Sequence, residues 1–240
     1  IFKDLSKLYN NDKLPNKILL SGEKGIGKST FAYHLINYVL SKDEEQKYDY
    51  ENNIINSENK SFKLIQNKSN PNFNLIDVAE DKKNIDINQI RELILNLNKS
   101  SFNKKKRFVL IDNIELLNIN SINALLKSLE EPNPNIYFIL INNNKKIPPT
   151  LLSRCINYKI NLSNNECLNI LNILLGDKIE NLVNLDLINY YFTPGNIFYL
   201  VKFANQYNFN LSELDLKNFL KIIKKENYYK KDPFMKYMIF

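Results

Sequence analysis

The sequence of 240 residues has few of the residues that anchor or cross-link a chain. It has two cysteines, Cys155 and Cys167, which excludes a four-cysteine zinc module and argues against a disulfide scaffold. No apolar run approaches the roughly 20 residues of a membrane span, and the N-terminus shows no signal-peptide pattern. We therefore predict a protein of a reducing cytoplasm with no zinc and no membrane partner. Cys155 is predicted to be a small buried residue rather than a nucleophile.

The charge balance favours an anionic partner. The chain carries 33 Lys and Arg against 26 Asp and Glu, a net charge of +7, and such an excess favours nucleotide or nucleic acid. Many of the lysines lie in Asn- and Lys-rich stretches, a bias that an AT-rich gene would also produce. The basic run at 104–107 is predicted to be a solvated loop, with nucleic-acid contact as the alternative.

A phosphate loop is the most specific motif of the chain. The segment 17–30 reads KILLSGEKGIGKST: a short apolar strand, then G-x-x-x-x-G-K-S, then the start of an amphipathic helix. Glycines let backbone N–H groups turn toward phosphate oxygens, and the helix N-terminus adds partial positive charge. The alternative is a glycine turn that fits the pattern by chance. The predicted nucleotide-binding residues are Gly22, Glu23, Lys24, Gly25, Ile26, Gly27, Lys28, Ser29 and Thr30.

Strand and helix patterns alternate through the first two thirds of the chain, which predicts an α/β fold with a parallel sheet covered on both faces. The predicted strands are 18–20, 74–79, 108–111, 136–141 and 156–162. Asp112 follows a continuous apolar run, so its carboxylate should emerge at the C-terminal edge of the sheet. Intervening helices are predicted to start at a capping box at Asp86 and to cover 118–131, where Pro132 stops the second one.

The domain boundaries follow from the same patterns. We predict a nucleotide-binding core at 1–162 that contains an exposed insertion at 41–72, followed by a small helical part that begins at 163. A capping box at Ser163 opens the helical part. The chain begins at isoleucine rather than methionine, as a fragment would.

Several segments in order resemble the clamp-loader branch of the AAA+ ATPases, and in particular the delta-prime subunits of bacterial DNA polymerase III. They are SGEKGIGKST, VLIDN, INALLKSLEEPNPN and, after the strand IYFILIN, IPPTLLSRC. A generic phosphate-loop protein has no reason to carry NALLKSLEEP followed by LLSRC. The resemblance implies a P-loop AAA+ parallel five-stranded sheet flanked by helices, and a small helical lid at 163–209. It also implies a collar domain that is absent or truncated in this chain, with its start at 210–240.

The resemblance also implies roles for particular residues. Lys28 and Ser29 would bind ATP or ADP and Mg²⁺, with Asp112 as the metal-associated acid. Asn142 matches the sensor-1 position beside the γ-phosphate. Arg154 matches the arginine finger that acts in trans on ATP held by a neighbouring subunit, a task suited to a permanently charged, forked guanidinium. The alternative for Arg154 is a surface salt bridge.

The sequence departs from the hydrolysing members of this family at three places. The residue after the metal-associated acid is Asn113 instead of a glutamate, and an amide cannot accept a proton as a general base. Glu115 lies two residues further on and is not expected to replace it. Asn196 stands where a sensor-2 arginine follows the Pro-Gly pair, and the insertion at 41–72 occupies the place of a zinc module without its cysteines.

Three hypotheses for the function follow. The first is a stator-like clamp-loader subunit of delta-prime type, in the cytoplasm of a bacterium, that binds nucleotide without efficient hydrolysis. It would work with gamma/tau and delta subunits in a hetero-pentameric ring, with the sliding clamp, and with primer-template DNA contacted without sequence specificity. The second is a hydrolysing gamma/tau-type motor subunit. The third is an unrelated P-loop phosphotransferase.

Overall fold

Five strands form one parallel sheet in the part of the chain that the structure describes. They are β1 (Lys17–Ser21), β2 (Phe73–Ile76), β3 (Arg107–Ile111), β4 (Ile136–Asn142) and β5 (Ile156–Lys159). Their order in the sheet is β2-β3-β4-β1-β5, and every neighbouring pair is parallel. The predicted fold class, a five-stranded parallel sheet of the P-loop type, is therefore confirmed.

The structure is a computed structural model that describes residues 1–79, 82–99, 103, 105–130 and 133–239. Two sequence predictions fall partly outside these residues. They are the basic run at its residue Lys104, and the helix end at Glu131 and Pro132. Within the described residues, no helix combines the length and the apolar character needed to cross a membrane.

The chain divides into two compact units. The first comprises Ile1–Gly22 and Lys28–Ile160, and the second comprises Glu23–Gly27 and Asn161–Phe240. The helices of the first unit are α1 (Phe2–Asn10), α2 (Lys28–Leu40), α3 (Lys60–Gln66), α4 (Ile87–Leu97), α5 (Ile119–Glu130) and α6 (Pro149–Leu152). As the sequence predicts, α4 begins at a capping box between Asp86 and Gln89.

The sheet of the first unit has an apolar core on each face because successive side chains of a strand point to opposite sides. In β1, Leu19 packs into the cluster that includes α4 and α5. Its neighbours Ile18 and Leu20 pack instead into the cluster that includes α1 and α2. The inner strands are buried on both faces, which explains why their sequences read as unbroken apolar runs.

The insertion at 41–72 requires a correction, because it is not exposed throughout. It contains α3, whose N-cap Asn59 is fully buried and accepts a hydrogen bond from the N–H of Phe62 at 2.8 Å. Tyr48 is also buried and contacts the ring of Phe2. The segment is rich in Asn and Lys, so its sequence hides the few side chains that fix it to the core.

The second unit is helical after Asn161. Its helices are α7 (Asn164–Leu175), α8 (Ile179–Leu182), α9 (Leu185–Tyr191), α10 (Pro194–Tyr207), α11 (Leu216–Lys225), α12 (Tyr228–Lys231) and α13 (Pro233–Ile239). Ser163 and Glu166 form the predicted capping box of α7. The predicted boundary at 210 is not visible in the packing: Phe219 and Met235 belong to the same apolar cluster as Leu171 and Leu200.

Two strand ends also differ from the sequence prediction. β2 ends at Ile76 instead of residue 79, and β5 ends at Lys159 instead of residue 162. At the end of β2, Asp77 turns its side chain back to accept from the N–H of Val78 at 2.7 Å. Such a local bond competes with the sheet ladder, so the strand stops before its apolar pattern does.

Candidate nucleotide site and arginine finger

The phosphate loop begins where β1 ends. The N–H of Gly22 donates to the carbonyl of Asn142 at the end of β4, with a length of 3.3 Å. Gly25 and Gly27 have φ angles of +88° and +90°, values that residues with a Cβ rarely adopt. The glycine pattern of the motif is therefore explained by the backbone: the loop needs glycine at these two positions to turn into α2.

Lys28 and Ser29 open α2 within the first unit. Lys28 is 4% exposed, and its Nζ donates to the carbonyl oxygen of Gly22 at 2.9 Å. A buried ammonium next to the loop backbone is the arrangement expected of a phosphate-binding lysine, since burial strengthens its interaction with an anion. Thr30 is exposed on the next position.

Ser29 and Asp112 lie together although the strands that precede them in the sequence, β1 and β3, are not neighbours in the sheet. The Ser29 hydroxyl donates to Oδ2 of Asp112 at 2.5 Å, across the strand β4 that separates β1 from β3. Burial raises the pKa of Asp112, while the hydrogen bond from Ser29 acts in the opposite direction. A hydroxyl and a carboxylate oxygen at this spacing suit Mg²⁺, which is bound through few protein oxygens and completes its shell with water and phosphate. The described residues contain no cluster of three or more His, Cys, Asp or Glu with metal-site geometry.

Asn113, which the sequence resemblance predicts to lie at the position of the water-activating glutamate, is held by two polar neighbours. Its Nδ2 donates to Oδ1 of Asp77 at 2.8 Å, and its Oδ1 accepts from Nδ2 of Asn143 at 2.8 Å. The backbone of Asn113 is left-handed, with φ +55°, a conformation that Asn adopts more readily than Glu. Both ends of the carboxamide are thus engaged within the protein.

Glu115, the other acid near this position, is also engaged. Its carboxylate accepts from Nδ2 of Asn143 at 2.7 Å and from the N–H of Asn143 at 3.3 Å. Sequence reasoning missed Asp77 and Asn143 as members of this network. The available signal was their position after β2 and β4, because the carboxyl ends of parallel strands meet at one edge of a sheet.

The side chain of Asn142, the predicted sensor, closes a turn. Its Nδ2 donates to the carbonyl of Lys145 at 2.9 Å, and its Oδ1 accepts from the N–H of Lys145 at 3.1 Å. The residue is buried at the end of β4. Contact with a γ-phosphate would require Asn142 to exchange one of these two bonds, so the sensor role of Asn142 stays a prediction.

Arg154 follows α6 and lies partly at the surface of the first unit. Its side chain is 30% exposed and its NH2 group bonds Oε1 of Glu130 at 2.5 Å. Its NH1 group donates to the carbonyl of Thr150 at 2.7 Å. Both readings of this residue predicted from the sequence, an arginine finger and a surface ion pair, are compatible with this geometry.

Replacement of Glu130 by glutamine measures how much the ion pair with Arg154 contributes to stability. An exposed ion pair contributes about 0–1 kcal/mol, so we expect Glu130→Gln to lower the free energy of unfolding by less than about 1 kcal/mol. Urea unfolding followed by circular dichroism measures this difference. A loss above about 2 kcal/mol would show that the pair is a structural element and would count against a displaceable finger.

Cys155, next to Arg154, lacks the low thiol pKa of a reactive nucleophile. Burial raises the pKa of its thiol to about 11, so only about 10⁻³ of it is thiolate near pH 8. We expect iodoacetamide to modify Cys155 slowly in the folded protein, at a rate that rises about tenfold per pH unit up to about pH 11. Mass spectrometry of the modified peptides measures the rate, with the protein in guanidinium as the fast reference. Rapid modification at neutral pH would contradict the assignment.

His34 is placed on α2 as a structural residue. One ring nitrogen is 2.9 Å from the hydroxyl of Tyr48, and burial lowers the pKa of the imidazole. It thus fixes the insertion to α2.

In the second unit, Gly25 of the loop meets the start of α10. The N–H of Gly195 donates to the carbonyl of Gly25 at 2.8 Å. A Cβ on Gly195 would lie 2.8 Å from both the Cα and the carbonyl oxygen of Gly25. Asn196, which the resemblance predicts to occupy the sensor-2 position, follows Gly195. Its Nδ2 donates to the carbonyl of Tyr191 at 3.3 Å, and its buried Oδ1 has no partner among the described residues.

Comparison with solved structures shows the class of this fold. The chain resembles a DNA polymerase III gamma subunit-related protein from Thermotoga maritima, with a TM-score of 0.52 and 21% identity over 74% of this chain and 52% of that one. The Thermotoga maritima RuvB Holliday junction branch migration motor matches with a TM-score of 0.50 and 14% identity, over 93% of this chain and 67% of that one. Identities this low show the fold alone, which is that of the P-loop AAA+ proteins.

The sequence comparisons are more specific. A family described as DNA polymerase III, delta subunit, matches residues 1–164. The gamma/tau subunit of Mycoplasma genitalium is 35% identical over 65% of this chain and 25% of its own length. The delta-prime subunit of Pseudomonas aeruginosa is 30% identical over 63% of this chain and 44% of its own length. The chain therefore belongs to the clamp-loader family of DNA polymerase III.

Family membership also eliminates one of the three hypotheses from the sequence. The unrelated phosphotransferase is wrong, because the family match covers the whole of the first unit. The matched part spans less than half the length of a gamma/tau, a gamma and a delta-prime relative. The relatives include gamma, gamma/tau and delta-prime subunits alike, so the particular subunit type is not decided by similarity.

Proposed function

We propose that this chain works as a clamp-loader subunit of delta-prime type, which binds nucleotide weakly or without efficient hydrolysis and donates Arg154 to a neighbouring ATPase subunit. The observation that carries the proposal is the state of Asn113. The residue after the metal-associated acid is an amide, and both of its polar ends are bonded to Asp77 and Asn143.

The chemical argument against efficient hydrolysis concerns the attacking water. Hydrolysis requires a group that accepts a proton from water or orients it, and a general base contributes about 10²–10⁴-fold. The carboxamide of Asn113 accepts no proton, and Glu115 is bonded to Asn143 instead. Phosphate binding is a separate capability, which Lys28 and the Ser29–Asp112 pair support.

The argument for the finger concerns the surface position of Arg154. Its partner Glu130 is 51% exposed. An ion pair exposed to water contributes little free energy. A phosphate offers the guanidinium a bidentate, more highly charged partner than one carboxylate. Exchange of Glu130 for the γ-phosphate of a neighbour is therefore energetically accessible to Arg154.

The same proposal names the surroundings of the subunit. It would assemble in the bacterial cytoplasm with gamma/tau and delta subunits in a hetero-pentameric ring that loads the sliding clamp. Contacts to primer-template DNA would involve the phosphate backbone, without sequence specificity. ATP or ADP with Mg²⁺ is the ligand expected at Lys28, Ser29 and Asp112.

ATP turnover by the isolated chain tests the proposal. We expect phosphate release close to the rate without protein, and no change on Lys28→Ala, while the same substitution weakens nucleotide binding measured by fluorescence anisotropy of a labelled ATP analogue. Rapid turnover that Lys28→Ala abolishes would refute the proposal.

A hydrolysing gamma/tau-type subunit is the second candidate. It is favoured by the complete phosphate loop and by the 2.5 Å bond between Ser29 and Asp112, both of which a hydrolysing site needs. ATP turnover in an assembled ring in which only the phosphate loop of this chain is active distinguishes the two candidates, because the motor type then hydrolyses ATP with its own site and the delta-prime type does not.

A further inference from the structure

A cavity of about 710 Å³ lies at the free edge of the sheet in the first unit. Neither Lys28 nor Arg154 is among the residues that line it. Its floor is the whole of β2, the outermost strand on this side. Tyr33 of α2 and Phe62 of α3 line it, and so does Leu93 of α4. Since α2 and α4 belong to the apolar clusters on opposite faces of the sheet, the cavity has the position that one more strand would occupy.

The backbone of β2 leaves hydrogen-bonding groups on this edge. The N–H of Phe108 donates to the carbonyl of Asn72, and the N–H of Asp112 donates to the carbonyl of Ile76. In a parallel pair, the backbone groups of alternate residues of a strand point to the same neighbouring strand. Asn72 and Ile76 point toward β3, so Leu75, which is one residue from Ile76, points its N–H and C=O to the cavity. Its side chain is 43% exposed. An open edge of this kind is a template for another strand.

A buried polar atom in the wall also lacks a partner. Asn37 lines the cavity, and its Nδ2 donates to Oδ1 of Asn59 at 3.1 Å. Its own Oδ1 is buried and has no hydrogen-bond partner among the described residues. An unsatisfied buried acceptor is rare and costly, and a donor group entering the cavity would satisfy it.

The cavity lining has more acidic than basic side chains, although the whole chain is basic. The ionisable groups there, apart from Tyr33, are the carboxylates of Asp77 and Glu92 and the ammonium of Lys68, whereas the whole chain carries a net charge of +7. The lining thus favours a basic side chain, and the open edge favours an extended backbone.

We propose that an extended segment of another polypeptide, with a basic residue at its centre, binds in this cavity as an additional strand beside β2. Backbone bonds to Leu75 provide the affinity, and the carboxylates of Asp77 and Glu92 select the basic side chain, as in other cases of strand addition. The cavity shares Asp77 with the network that holds Asn113, but strand addition at β2 requires neither nucleotide binding nor the finger.

Synthetic peptides test the proposal on the full chain. The probe is an acetylated, amidated heptapeptide of alternating threonine and valine with a central lysine, and binding is measured by isothermal titration. We expect about tenfold weaker binding when peptide nitrogens along the edge that pairs with β2 are methylated, because about two hydrogen bonds of ordinary strength are lost. Either edge of the peptide strand could face β2. Two peptides are therefore used, each methylated at the nitrogens of one edge.

Variants of the protein provide the matched comparison. Leu75→Pro removes one N–H donor at the β2 edge, where proline is tolerated, and is expected to weaken binding about fivefold. Lys159→Pro makes the same change on β5, the opposite edge of the sheet, and should leave binding unchanged. Glu92→Gln should reduce the preference for the lysine peptide over one with a central glutamate.

Three results would overturn the proposal. The first is no binding of any peptide at about 1 mM, and the second is equal binding of methylated and unmethylated peptides. The third is self-association of the chain in sedimentation experiments that Leu75→Pro abolishes, which would make the edge a contact between two copies. The methylated peptides keep the test valid even if Leu75→Pro fails to fold.

Discussion

Arg154→Ala is expected to lower ATP hydrolysis about 10³-fold or more at the one site of an assembled ring that this chain completes. The guanidinium would stabilise the charge that develops on the transferred phosphoryl group, and alanine leaves that charge uncompensated. The measurement is phosphate release by rings in which the phosphate loops of all other sites are inactivated, so that only the site next to this chain contributes.

Two other arginine variants sharpen this experiment. Arg91 lies exposed on α4 with no ion pair among the described residues, so Arg91→Ala controls for loss of one positive charge and should leave the rate unchanged. Arg154→Lys keeps the charge and removes the fork, and it should restore only part of the rate. An unchanged rate in rings that contain Arg154→Ala would leave the residue with its surface ion pair to Glu130 and nothing more.

Gly195→Ala is expected to destabilise the second unit by about 1–3 kcal/mol, the range for overpacking a close contact. The added Cβ would lie 2.8 Å from the Cα and the carbonyl oxygen of Gly25. Both are backbone atoms that no rotamer change can move, so the loop and α10 must separate and their 2.8 Å hydrogen bond is lost. Urea unfolding followed by circular dichroism measures the loss.

A position on the same helix provides the control. Asn205 is exposed on α10, and Asn205→Ala should change the free energy of unfolding by no more than about 0.5 kcal/mol. Hydrogen exchange of residues 23–27 should become faster in Gly195→Ala and stay the same in Asn205→Ala. Equal stability and equal exchange in the two variants would show that the loop and the helix do not depend on this contact.

Much of the fold could be predicted because local rules agree with the final packing. The apolar run before Asp112 is a strand in the structure, and the capping boxes at Asp86 and Ser163 open helices where predicted. The phosphate loop lies between a strand and a helix, with left-handed glycines at 25 and 27. In each case one short segment contains all the groups that determine its conformation.

The misjudged parts involve groups that are distant in sequence. Residues 41–72 look polar throughout, yet Asn59 and Tyr48 are buried against other elements. The resemblance assigns residues 210–240 to the start of a further domain, but their apolar side chains share one core with α7–α10. Composition describes a segment by itself and does not say which surface its few apolar residues will cover.

The sequence by itself determined the class of this protein: the order of strands and helices, the phosphate loop, the Ser-Arg-Cys segment, and the absence of a glutamate after Asp112. Only the tertiary structure decided what surrounds those residues. It tied Asn113 between Asp77 and Asn143, paired Arg154 with Glu130, and left the edge of β2 open beside a cavity. The physical reason is that periodicity and capping act over a few residues, whereas these contacts join strands and helices that meet only when the sheet has formed.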